Sequence, residues 1–142
     1  MRITVGLKGV TCSAIEYLDK GKTGLNKAEI ITDMNPHINQ QAWGQIIDIV
    51  ITTEVTQAQT GERCKMITTT TFLVTTDFDI LHNLTHELTI SILSEFSLIG
   101  ISHSRAFFIE KSKDTSFSGI TIPYKALSEV MKDTRFIIDR MN

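Results

Sequence analysis

The chain has 142 residues, 42% of them hydrophobic and 21% charged, with a net charge of −2. That length suits one domain with a real core. Near-neutral charge excludes the basic face that nucleic acid or an anionic membrane surface requires, and no apolar run approaches the roughly 20 residues of a membrane helix.

Residues 2–9 alternate, with Ile3, Val5 and Leu7 on one face and Thr4, Gly6 and Lys8 on the other. Period-two alternation predicts a half-buried strand. The start of the chain lacks the apolar segment and small-residue cleavage site of a signal peptide, so a cytoplasmic location is expected. The alternation resumes through Ile15 and Tyr17, and the run from Asp19 to Gly24 reads as a loop. Residues 28–33 form a short second strand in this reading, ended at Asn35-Pro36-His37 because proline supplies no ladder donor.

The strongest pattern spans residues 44–76. Ile47, Ile49, Ile51 and Val55 share one face, and Asp48, Thr52 and Glu54 the other. Thr60-Gly61-Glu62 supplies a turn. Residues 63–76 return as a strand rich in β-branched threonine and valine. These two strands exceed the usual five or six residues and form one long hairpin.

The period then changes to that of a helix. Leu81, Leu84, Leu88, Ile92, Phe96 and Ile99 predict an amphipathic helix from Phe78 to Leu98. Asp77 or Asp79 supplies its N-cap and Gly100 its stop. Residues 101–110 add a strand or an extended cover, Lys111–Gly119 is a polar loop, and Pro123 opens a second helix with Leu127 and Met131 facing the core. Residues 132–142 have no clear period. The whole, 1–142, is a single α+β domain: an antiparallel sheet of about four strands with a long central hairpin, packed against two helices.

No catalytic motif is present. There is no phosphate-binding glycine loop and no nucleophile elbow. Asp48 and Glu54 lie six residues apart on one strand, about 20 Å, too far for paired acid–base work. His82 and His86 share a helix face, and His103 and Cys64 could complete a tetrahedral zinc site. Without further ligands at recognisable spacing, solvated surface histidines are the better reading. His103-Ser104-Arg105 reads as a polar loop rather than an anion site. Cys12 and Cys64 are too few for a disulfide scaffold. No catalytic residue, metal ligand or cofactor is assigned.

Trp43, Phe107 and Phe108 are the candidates for a binding or interface surface. A lone tryptophan is usually a core anchor, but it can line a groove. Phe107 and Phe108 are adjacent, so in a strand they face opposite ways and one must find cover outside the main core.

The stretch Trp43–Thr56, the Thr60-Gly61-Glu62 turn and the return through Phe72-Leu73-Val74 resemble the central hairpin of the SecB export-chaperone family. The helix of residues 78–98 and the Ile120–Tyr124 approach to the last helix fit the same plan. The resemblance implies a four-stranded antiparallel sheet with helices on one side. It also implies homo-oligomers (a dimer or dimer of dimers) and ATP-independent capture of non-native polypeptide or a dedicated client. The family is strongly acidic and this chain is not; an acidic tail is missing and Lys111–Gly119 is an insertion, so docking on the translocase motor is not carried over. The expected function is a non-enzymatic SecB-like holdase. The alternatives are a structural assembly protein, such as a phage-type ring or connector subunit, and a metal- or small-ligand-binding protein.

Overall fold

The computed structural model describes residues 3–39, 44–76 and 86–141. Five strands form one sheet: β1 (Ile3–Cys12), β2 (Glu16–Leu18), β3 (Lys27–Asn39), β4 (Gly44–Thr56) and β5 (Arg63–Thr76). Two helices follow, α1 (His86–Lys111) and α2 (Leu127–Met141). The strand order is β1-β5-β4-β3, all antiparallel, with β2 continuing β1's side of β5. This is the α+β architecture expected, with two strands sharing the first of four positions.

The β4–β5 hairpin pairs without interruption from Gly44↔Thr75 to Thr56↔Arg63. Gly61 closes the turn with φ of 72°, a conformation that favours glycine. The isoleucine face lies inward as the alternation predicted: Ile47, Ile49, Ile51 and Val55 are all buried. They pack with Cys64, Met66, Phe72 and Val74 of β5 against α1, where Phe72 stacks on Phe96 at 4.3 Å between ring centroids.

Four expectations are corrected. First, β3 does not end at Pro36 but runs on to Asn39, with Pro36 opposite Ile47. β3 is an edge strand, and at Pro36 the missing N–H falls on the open side, where no ladder bond is lost. Second, α1 does not stop at Gly100. It continues to Lys111, so residues 101–110 are helix and not strand. Gly100 is a place of close approach: a Cβ there would lie 2.9 Å from Ile49 Cγ2. Third, Val5 and Leu7 oppose buried Val74 and Phe72 but are 44% and 56% exposed, because α1 leaves this end of β1 uncovered. Fourth, α2 opens at Leu127 rather than at Pro123, and Leu127 is exposed while Met131 packs on the core. The unassigned C-terminal stretch belongs to this helix as far as Met141.

The buried face of α1 is Ile90, Leu93, Ser97, Ile101, Ser104 and Phe108, at steps of three and four. Its serines satisfy themselves: Ser94 and Ser97 donate to the carbonyls of Ile90 (2.6 Å) and Leu93 (3.1 Å), and Ser104 shares a buried bond with Thr53 at 2.7 Å. Of the predicted apolar stripe, Phe96 is buried, Ile92 half-buried and Ile99 42% exposed. Leu81 and Leu84 lie outside the described residues.

Candidate polypeptide-binding edge

The side chains singled out in the sequence do not converge. Phe108 is 1% exposed and belongs to the core; Phe107 is half-buried and packed on its margin. Both sit on α1, so the opposite-faces expectation drawn for a strand does not apply. Trp43 and His82 lie outside the described residues, as does the side chain of His86. His103 Nδ1 is 2.9 Å from Thr70 Oγ1, on the helix–sheet seam. Arg105 donates to the Ile122 carbonyl at 2.8 Å and lies over the Tyr124 ring at 3.2 Å, tying the loop after α1 to the helix. The polar-loop reading of residues 103–105 is therefore replaced by a helical one with structural partners. Asp48 accepts from Thr71 Oγ1 at 2.6 Å, and Glu54 is 3.8 Å from Arg63. Burial pushes the Cys64 thiol up to about 11, against a weaker opposing bond from the Val55 backbone. Among the described residues, no three His, Cys, Asp or Glu side chains are grouped to hold a metal ion.

The open feature is the outer edge of β3. Its polarity follows from the hairpin. Gln57 N–H donates to the Glu62 carbonyl at 2.8 Å, so Gln57 and alternate residues back along β4 direct their backbone groups at β5. The residues between, including Thr52 and Val50, direct theirs at β3. Thr52 opposes Ile31 and Val50 opposes Asp33, so Ile31 and Asp33 bond inward. Ile30, Thr32 and Met34 then turn their N–H and C=O groups away from the sheet. Pro36 falls in the same phase, which agrees with its tolerated place.

Beside this edge runs α2. The groove between them encloses about 390 Å³ and is lined by Ile30–Asp33, Lys125, Asp133, Phe136, Ile137 and Arg140. Phe136 is 62% exposed and Ile31, across the edge, is 50% exposed. Lys125 Nζ reaches the Ile30 carbonyl at 3.3 Å and the Asp133 carboxylate at 2.9 Å. Arg140 stands over the Phe136 ring at 5.5 Å. Outward backbone groups that pair with no other strand among the described residues, flanked by exposed apolar side chains, can accept an added strand: main-chain bonds hold it and side-chain contacts select it. A larger hollow of about 630 Å³ lies on the other face of the sheet, lined by Lys27, Glu29, Glu54 and Arg63 among others. Its charges already pair with one another, Lys27 with Glu29 at 2.8 Å and Arg63 with Glu54 at 3.8 Å.

None of the groove residues was identified in the sequence. Phe136 stands in the stretch read as aperiodic, and nothing local marks Lys125 or Asp133 as edge partners.

Several solved structures share the architecture. One is a Mycobacterium tuberculosis SecB-like chaperone, Rv1957, in complex with a ChAD peptide from the HigA1 antitoxin Rv1956. It matches at a TM-score of 0.57 and 7% identity, over 85% of this chain and 90% of that one. The fold is SecB-like. A Streptococcus agalactiae protein of unknown function matches at a TM-score of 0.52 and 10% identity, over 87% of this chain and 100% of that one. At these identities the likeness is one of fold. No protein-family model matches the chain, and no curated protein does. Among the described residues, no helix of the SecB-like fold is long and apolar enough to cross a membrane.

Proposed function

We propose that this is a non-enzymatic, ATP-independent SecB-like protein of the cytoplasm. It captures extended segments of non-native polypeptide, or of a dedicated client, along the β3 edge. The observation that carries the reading is the outward backbone of Ile30, Thr32 and Met34 lying beside exposed Phe136 and Ile31. The likeness to a SecB-like chaperone solved with a bound peptide supports it at the level of the fold.

Self-association is part of the proposal. Val5 and Leu7 leave an apolar patch on the opposite edge, suited to a second copy of the chain. The same patch favours the second reading, a structural assembly subunit with fixed neighbours. Titration against a reduced, aggregating client without nucleotide separates the two. A holdase suppresses light scattering at a saturating ratio; an assembly subunit forms a fixed ring and leaves the client to aggregate.

A further inference from the structure

Lys125 occupies an unusual place for a lysine of the loop before α2. Its ammonium binds a main-chain acceptor of the edge strand, the Ile30 carbonyl, and is held there by Asp133. Both side chains are partly shielded, the lysine more than the aspartate. Ile30 belongs to the outward-facing series of β3 with Thr32 and Met34, and Pro36, with no N–H to offer, stands beyond Met34. An extended strand added to β3 needs the Ile30 carbonyl for one of its own N–H groups, and Lys125 already fills that position.

We propose that Lys125 is a displaceable cap on the client edge. Asp133 positions it over Ile30, and an incoming strand must expel it before pairing along Ile30–Met34. This rests on the reading of β3 as the client edge. The occupant is an extended segment of a partner polypeptide, because what it must supply at Ile30 is a backbone N–H. The cap sets a threshold: weak strands fail to displace it, and the open edges of other copies of the chain are refused by the same contact.

The test uses a fluorescein-labelled peptide of alternating valine and serine, blocked at both ends, read by anisotropy against the full chain. An uncharged probe removes any direct attraction to Lys125 or Asp133. Lys125→Met keeps the aliphatic stem and removes the cap; it should bind about fivefold more tightly, the worth of one main-chain hydrogen bond. Asp133→Asn loosens the cap and should tighten binding in the same direction by less. Added salt screens the Lys125–Asp133 pair, so wild-type affinity should rise with ionic strength and that of Lys125→Met should not. Unchanged or weaker binding by Lys125→Met overturns the cap. Thr32→Pro removes an outward N–H without touching the β4 ladder. If it abolishes binding while Lys125→Met does nothing, the edge site stands and the cap falls. If Thr32→Pro binds like wild type, or no variant binds, the edge reading fails and the cap with it.

Discussion

Gly100 brings α1 into direct contact with Ile49: a Cβ at this position would meet Ile49 Cγ2 at 2.9 Å and Ile51 Cγ1 at 3.4 Å. The helix sits low on the hairpin because this residue has no side chain. Its neighbours on the strand are β-branched and cannot swing aside. Gly100→Ala gains about 1 kcal/mol of helix propensity and loses a comparable amount to crowding, so its stability should stay near wild type. Gly100→Val adds more volume and a branched Cβ. It should lose about 2–3 kcal/mol, read as a lower urea midpoint.

Thr53 and Ser104 satisfy each other in the buried seam at 2.7 Å. Ser104→Ala leaves the Thr53 hydroxyl buried without that partner and should cost about 1–3 kcal/mol. The pair Thr53→Val with Ser104→Ala removes both polar groups. Its loss should be smaller than the sum of the single losses, and a double-mutant cycle by denaturant unfolding measures the difference.

Much of the sheet was legible because its chemistry is repetitive. Ile47, Ile49 and Ile51 alternate with Asp48 and Thr52, and only one register buries them all. The helix was harder. Its buried face contains Ser94, Ser97, Gly100 and Ser104, whereas Ile99 is exposed. Apolar spacing therefore brings Phe96 and Ile92 to the core but passes over the serine face, and Gly100 reads as a terminus. Pro36 misled in a related way. A proline ends a central strand but fits the open side of an edge, and edge position is a property of the whole sheet. The groove was invisible for the same reason: Ile30 lies 95 residues before Lys125 in the chain and meets it only when α2 docks beside β3.

Phe108 is fully enclosed, while Phe107 stands at the core margin. Phe108→Ala should cost about 3–5 kcal/mol, a large share of the roughly 5–15 kcal/mol that holds a domain folded. Phe107→Ala should cost clearly less. Thermal unfolding of the two variants side by side checks the ranking; a Phe107 loss equal to that of Phe108 contradicts it.

Cys64 is buried beneath α1, and its thiol is raised from 9.0 to about 11 by loss of solvation. The folded chain therefore keeps this proton when the unfolded chain has released it. The contribution to stability is fully present below about pH 9 and declines as pH rises toward 11. Wild type should lose more stability than Cys64→Ala across that window, measured as the difference between their denaturation curves at each pH. Half-buried Cys12 should react with a thiol reagent in the native state well before Cys64 does.

The most direct test of polypeptide capture at the β3 edge is residue-resolved amide exchange of the wild-type chain, with and without a reduced, unfolded client. New protection is expected at Ile30, Thr32 and Met34, whose N–H groups face away from the sheet, with little change at Ile31 and Asp33, already bonded to β4. Client binding that leaves the three outward amides as exchangeable as before would contradict it.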